Sequence, residues 1–123
     1  MKRIACSVLL FHGSKLSATT EEAEHFLQTV TGECRNENIQ IAFLTKGTPS
    51  LIEALEIVVR KGFHEIRIFP MLLLAGVHIT NDIPNMLTPY MKDHPNIAIT
   101  LMDHLTKDPS FASWLAHKID STN

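Results

Sequence analysis

Short continuous apolar runs alternate with segments of helical periodicity along this chain, and that alternation constrains the fold more than any other feature. Residues 4–11 form the first run, apolar at nearly every position. A strand reads this way when it is buried on both faces, as in a parallel sheet with helices on either side. Ala23, Phe26, Leu27 and Val30 then recur at helical spacing, and Thr19 with Glu22 three residues on has the pattern of a capping box. That pair predicts a helix start near Thr19. A second strand is predicted over residues 39–44. Thr48-Pro49 reads as a cap followed by proline at the first helical position, ahead of a helix bearing Leu51, Ile52, Leu55, Val58 and Val59 and stopped at Gly62. Residues 66–69 are the third strand, ended by Pro70. Asp82 and Pro84 open a third helix with Ile83, Met86, Leu87 and Tyr90 on one face. Residues 97–101 are the fourth strand, and Asp108-Pro109 opens a last helix carrying Phe111, Ala112, Leu115 and Ile119.

Strand followed by helix, four times over, implies an α/β layer structure with a parallel sheet and helices on both faces. By analogy with the common doubly wound folds, the expected strand order is 2-1-3-4. The length, 123 residues, suits a single domain spanning 1–123. A formal net charge of −2 gives no basic face for nucleic acid. No segment reaches the roughly 18 consecutive apolar residues of a membrane span. Positive charge in Met1-Lys2-Arg3 precedes the first apolar run, as in a signal peptide. That run leads into His12-Gly13-Ser14-Lys15 with no small-residue cleavage pattern, so it is expected to be a strand. Cys6 and Cys34 are far apart and have no CxxC partner, and Cys6 falls in the first strand. Free thiols and a reducing cytoplasm are the expectation.

Two histidines stand at equivalent places. His12 directly follows strand one, and His78 follows strand three on the way to the third helix. In a parallel sheet both lie at the carboxyl end of the strands. In the order 2-1-3-4 those strands are neighbours, beside the crevice where open α/β sheets bind ligands. Neutral imidazole is the commonest metal ligand and titrates near neutrality, so such a pair suits holding a divalent ion or accepting protons. His25, His64, His94, His104 and His117 read as solvated or structural, with His104 nearest the cleft rim.

The stretch Leu10-Phe11-His12-Gly13-Ser14-Lys15 resembles the opening motif of the small CbiX-like sirohydrochlorin chelatases. Phe43-Leu44 followed by Thr48-Pro49-Ser50-Leu51 resembles their second motif. The run from Phe69-Pro70 through Gly76-Val77-His78-Ile79-Thr80-Asn81-Asp82-Ile83-Pro84 resembles their most distinctive one, GxHxxxDIP. The resemblance covers nearly the whole chain in order. It implies a chelatase-like (flavodoxin-like) three-layer sandwich around a four-stranded parallel sheet. It implies insertion of a divalent metal (cobalt first, or iron or nickel) into sirohydrochlorin or a related tetrapyrrole, without ATP or an organic cofactor. It implies that His12 and His78 handle the metal and that the short form works as a homodimer. Two positions depart from the pattern. Thr45 stands where the family often carries glutamate, and Lys15 where arginine is usual; lysine keeps the charge but loses the planar fork.

Metal insertion exchanges two pyrrolic protons for a divalent cation. Histidine suits both the loose holding of the metal and the removal of the protons. The carboxylates of sirohydrochlorin need donors, expected from Lys15 and Lys46 after strands one and two and from the backbone N–H groups of Gly13-Ser14. Thr45 lies beside them. The apolar stretch 71–76, with Leu73, Leu74 and Gly76, is expected to wall the macrocycle or to join a dimer interface. Asp82 caps the third helix in the simplest reading, with a bond to His78 as the alternative. The competing functional reading is a non-catalytic metal or tetrapyrrole carrier on the same fold.

Overall fold

Side chains alternate across a strand, so a strand apolar at nearly every position must meet two cores. β1 (Ala5–Gly13) does so. Cys6, Val8 and Leu10 enter the larger core, and Leu9 enters the smaller one on the opposite face. The computed structural model describes residues 5–35 and 38–122, so the predicted strand start at Ile4 and the charged Met1-Lys2-Arg3 lie outside the described residues. β1 is flanked by β2 (Ile39–Lys46) and β3 (Glu65–Pro70), and β4 (Ala98–Leu101) pairs with β3. All pairings are parallel, and the order is β2-β1-β3-β4, the one expected by analogy with doubly wound folds.

Four helices follow the four strands: α1 (Ser17–Glu33), α2 (Leu51–Arg60), α3 (Ile83–Asp93) and α4 (Pro109–Ser121). α2 and α3 cover one face of the sheet. Leu51, Ala54, Leu55 and Val58 of α2 and Ile83, Leu87 and Tyr90 of α3 close over Val8, Leu10, Ile66 and Ile68. Each fully buried Leu or Ile here contributes roughly 1.5–3 kcal/mol. α1 covers β1 and β2 on the other face, where Ala23 meets Leu9, Ile41 and Phe43. Cys6 and Cys34 are free thiols, and burial pushes the Cys6 thiol up, with Lys61 acting weakly against it.

Two predicted helix starts change, and the third is preceded by an added turn. α1 begins at Ser17 with Leu16 at its cap and no side-chain cap bond, so Thr19 lies within the first turn and gives its N–H to the Leu16 carbonyl. β1 passes into α1 through only residues 14–16, where the Ser14 hydroxyl accepts the Leu16 N–H at 2.9 Å. α2 begins after Ser50 rather than after Thr48. Ser50 and Glu53 make a reciprocal capping box, which holds the Glu53 carboxyl below its usual range. Pro49 instead turns its carbonyl to the Phe43 N–H beside β2. Before α3, residues His78–Asp82 form a π-helical turn that runs directly into the helix. Asp82 therefore has helical backbone angles and no free helix end to cap.

α4 starts as expected, with Asp108 accepting the Ser110 N–H and Pro109 in the first turn. Its apolar side chains, however, do not enter either core. None of its residues is buried, and it packs mainly against the 3₁₀ turn Leu105–Lys107 that precedes it. Met86, expected on the buried face of α3, is also exposed.

Candidate functional site

The strand order brings the ends of β1 and β3 together, and with them the two predicted histidines. His12 is exposed at the end of β1, and His78 opens the π turn beyond β3. Their rings meet edge to face, with centroids 4.9 Å apart at an interplanar angle of 70°.

Each ring is oriented through Nδ1. In His78, Nδ1 lies 2.9 Å from Oδ2 of Asp82. A carboxylate only accepts, so this bond requires the proton on Nδ1 and leaves the Nε2 lone pair open. His12 Nδ1 lies 3.1 Å from the Gly13 carbonyl, which again only accepts, and the same tautomer follows. Two imidazoles that each give Nδ1–H to an oxygen and keep Nε2 free have the outer-shell arrangement of metal-ligating histidines. The His78–Asp82 bond joins residues four apart within the π turn. Of the two roles weighed for Asp82, the structure shows the bond to His78 and no cap.

His12 is fixed from a second side. The Thr45 hydroxyl, at the end of β2, donates to the His12 carbonyl at 2.9 Å. The register between β1 and β2 shifts between Phe11 and Gly13, so Gly13 rather than His12 pairs with Lys46. Gly13 has φ +90°, and a Cβ there would collide with the Lys46 carbonyl. The close approach of the two strand ends therefore depends on glycine. Thr45, predicted to contact a substrate, spends its proton on this tether.

The remaining predicted residues stand at or just past the ends of β1, β2 and β3. Lys15 and Lys46 are exposed just past β1 and β2, while the Ser14 hydroxyl is engaged with the Leu16 N–H. Leu73 and Leu74 are 58% and 72% exposed, so they form an apolar surface rather than core. Their loop is anchored: the Leu72 and Leu73 carbonyls accept the N–H groups of Leu105 and Thr106, and Leu73 also accepts the Thr106 hydroxyl. Gly76, at φ +55°, turns the chain into the π helix, and its carbonyl accepts the Thr80 hydroxyl. His104 sits just before the anchored 3₁₀ turn, at this end of the molecule. Among the described residues, no group of three or more His, Cys, Asp or Glu side chains converges as a metal cage. The arrangement is an open two-imidazole site with a carboxylate behind one ring.

Sequence reasoning missed one feature beside the site. Phe11, Ala23, Phe26 and Met71 line a groove of about 420 Å³ between α1 and the ends of β1 and β3, with Glu22 and His25 at its rim. The helical spacing of Ala23 and Phe26 was legible, but that Phe26 stays 41% exposed was not.

A family model described as CbiX matches residues 6–122. The chain belongs to the CbiX family. Similar proteins within reach include the sirohydrochlorin ferrochelatase of Priestia megaterium, 23% identical over 112 residues, covering 91% of this chain and 42% of that protein. The sirohydrochlorin cobaltochelatase of Saccharolobus islandicus is 27% identical over 124 residues, covering 94% of this chain and 93% of the relative. The crystal structure of the sirohydrochlorin chelatase SirB from Bacillus subtilis subspecies spizizenii, in complex with cobalt, superposes with a TM-score of 0.81. It is 24% identical, and the match covers 95% of this chain and 50% of SirB. This CbiX-family chain thus spans less than half the length of the first curated relatives it matches, and its three-layer fold is that of SirB. No helix among the described residues is long and apolar enough to cross a membrane.

Proposed function

We propose that this chain is a class II chelatase that inserts a divalent metal into sirohydrochlorin or a related tetrapyrrole, without ATP or an organic cofactor. Cobalt is the first choice of metal, with iron or nickel as the others. One observation carries the reading: His12 and His78 face each other at 4.9 Å with both Nδ1 atoms engaged and both Nε2 atoms open. Family membership supplies the reaction, since the relatives bear the names sirohydrochlorin ferrochelatase and cobaltochelatase.

The chemistry follows from what is present and what is missing. Imidazole nitrogen suits cobalt, iron and nickel alike. A closed cage of four ligands holds a metal as structure, whereas two ligands on an open face hold it for delivery. The metal, as substrate, sits between the two Nε2 atoms and the macrocycle face. As the pyrrole nitrogens take the metal, their protons pass to imidazole nitrogen freed by the transfer. Asp82 holds the His78 ring in orientation through Nδ1–H while this happens. Lys15 and Lys46 meet the carboxylates of the macrocycle, Gly13 and Ser14 offer backbone at the cleft mouth, and Leu73, Leu74 and Gly76 lie against its apolar face. Thr45 contributes by holding His12. The chain acts as a single chelatase domain, as a homodimer, in the cytoplasm. Neither nucleic acid nor membrane takes part.

A tetrapyrrole or metal carrier is the second reading, favoured by the absence of a third ligand beside the two histidines among the described residues. An anaerobic spectroscopic assay separates the two. Purified protein is mixed with sirohydrochlorin and Co²⁺, Fe²⁺ or Ni²⁺ in turn, beside His12→Ala and His78→Ala. Insertion well above the background rate, lost by about 10²-fold or more in either variant, establishes the chelatase. Stoichiometric binding of the tetrapyrrole with no acceleration by any metal establishes the carrier instead.

A further inference from the structure

The two edge strands of the sheet each lead to a threonine that reaches across to the inner strand beside it. At the end of β2, the Thr45 hydroxyl donates to the His12 carbonyl at 2.9 Å. Past β4, the Thr106 hydroxyl donates to the Leu73 carbonyl at 2.6 Å, in the segment that follows β3. The first bond steadies a site histidine. The second steadies one of two adjacent leucines that stand largely in water. Thr106 lies between β4 and α4, in a stretch to which the sequence assigned no function. The pairing of β3 with β4 in fact continues beyond both strands. Ile68 pairs with Leu101; further on, the Leu105 N–H donates to the Leu72 carbonyl and the Thr106 N–H to the Leu73 carbonyl, each at 3.1 Å. Leu73 and Thr106 keep the 33-residue offset of the strand register. The Leu73 carbonyl therefore accepts both the N–H and the hydroxyl of a single residue.

We propose that Thr106 is a positioning residue for the tetrapyrrole: its hydroxyl holds the Leu73–Leu74 segment in the form that receives the macrocycle. The proposal rests on the reading above, in which these leucines lie against the macrocycle face. Leaving leucine side chains in water forgoes hydrophobic stabilisation, so an irregular segment that carries them needs a backbone anchor to keep them outward. This one is anchored along its length. The Met71 N–H goes to the Leu10 carbonyl of β1 at 2.8 Å, and the Ala75 and Gly76 carbonyls accept from Ile79 and Thr80 in the π turn. Between those ends, the bonds from Leu105 and Thr106 are what tie residues 72 and 73 to the rest of the fold. A segment ordered in advance loses less freedom when its ligand arrives, and the affinity gains accordingly. The imidazoles are oriented separately, by Asp82 and by the Gly13 carbonyl. Thr106 therefore bears on the tetrapyrrole and not on the metal.

Binding rather than turnover is the readout, so a carrier tests the inference as well as an enzyme does. Sirohydrochlorin is titrated anaerobically and without metal into the full chain as wild type, Thr106→Val, Thr106→Ser and Leu74→Ser, and Co²⁺ is titrated separately. Thr106 is exposed, and valine matches threonine in shape and keeps the backbone N–H bond, so the fold is expected to stand. The expected result is a sirohydrochlorin Kd raised about three- to tenfold in Thr106→Val and returned to within about twofold of wild type in Thr106→Ser, with Co²⁺ affinity unchanged. Because Thr106 acts through the leucines, Thr106→Val combined with Leu74→Ser is expected to lose clearly less than the product of the two single losses. Equal sirohydrochlorin affinity in wild type and Thr106→Val overturns the inference. So does a serine variant no better than valine, a parallel loss of Co²⁺ affinity, or fully multiplicative losses in the double variant. Those results leave the proposed function standing, whereas a wild type that binds no sirohydrochlorin overturns the proposed function and this inference together.

Discussion

Asp82 is the residue whose removal best tests whether the histidine pair is a built site. Its carboxylate accepts the His78 Nδ1–H at 2.9 Å, and both side chains are partly open, 33% exposed for His78 and 45% for Asp82. At such exposure the pair adds no more than about 1 kcal/mol to stability, so Asp82→Ala is expected to fold normally. The function should respond much more. Without the carboxylate, Nδ1–H has no acceptor, the ring is free to turn about χ2 and the tautomer with Nε2 protonated becomes accessible. Outer-shell partners of ligating histidines are worth roughly 10–100-fold, or about 1.4–2.7 kcal/mol. Asp82→Asn keeps an oxygen acceptor and loses the charge, so it should fall between wild type and alanine. The assay is insertion of Co²⁺ into sirohydrochlorin, with Co²⁺ affinity measured separately by titration. An Asp82→Ala protein that matches wild type within twofold in both would show that Asp82 is only a turn residue, and the argument from the free Nε2 atoms would fail with it.

Thr45 acts one step further from the metal. Thr45→Val removes the bond to the His12 carbonyl and should cost about 1 kcal/mol by chemical denaturation, with a lower kcat and little change in KM; Thr45→Ser, which keeps the hydroxyl, should restore most of both. The Tyr90 hydroxyl is buried without a hydrogen bond of good geometry, and burial first, then the nearby Glu56 carboxylate, pushes the phenol up to about 12. A folded value above the unfolded one means that stability is full below about pH 10 and is lost as pH rises through about 12, by about 1–2 kcal/mol after allowing for screening. Tyr90 is the only tyrosine, so ultraviolet titration follows it directly, and the same loss should be missing from Tyr90→Phe.

The sheet was legible because its cause is local. β1 is apolar on both faces, and only a central parallel strand has use for that; that β2 and β3 flank it came from analogy with doubly wound folds and not from the residues. The meeting of His12 and His78 was legible through the topology, since His12 ends β1 and His78 follows β3, two strands that the expected order makes adjacent. Other features depend on bonds that leave no periodic trace. A π turn and an α turn draw on the same residue types, so His78 read as part of the stretch leading to a helix with Asp82 at its start. The spacing of His78 and Asp82 allowed their contact but also allowed a cap. Ser50 and Glu53 did carry the capping-box pattern, and Thr48-Pro49 obscured it by offering a second plausible start. For α4, an apolar stripe states that something is buried without stating against what, and in this chain the answer is neither core.

The two histidines reach the same chemical state by different means, and the difference bears on how the site works. His12 is held by the backbone. It lies on the last residues of a central strand, its carbonyl is tied to Thr45, its Nδ1–H goes to a neutral carbonyl, and the glycine after it lets β1 and β2 close up. His78 is held by a turn. Its Nδ1–H goes to a charged carboxylate, and the π geometry that brings the two together is less regular than the helix it leads into. Rigid presentation of the metal therefore falls to His12, anchored by backbone on two strands, and the more adjustable contact to His78 on its turn. On that division His12→Ala should lose metal affinity and rate together, whereas Asp82→Asn, which keeps an oxygen to accept the His78 Nδ1–H, should lose less of both.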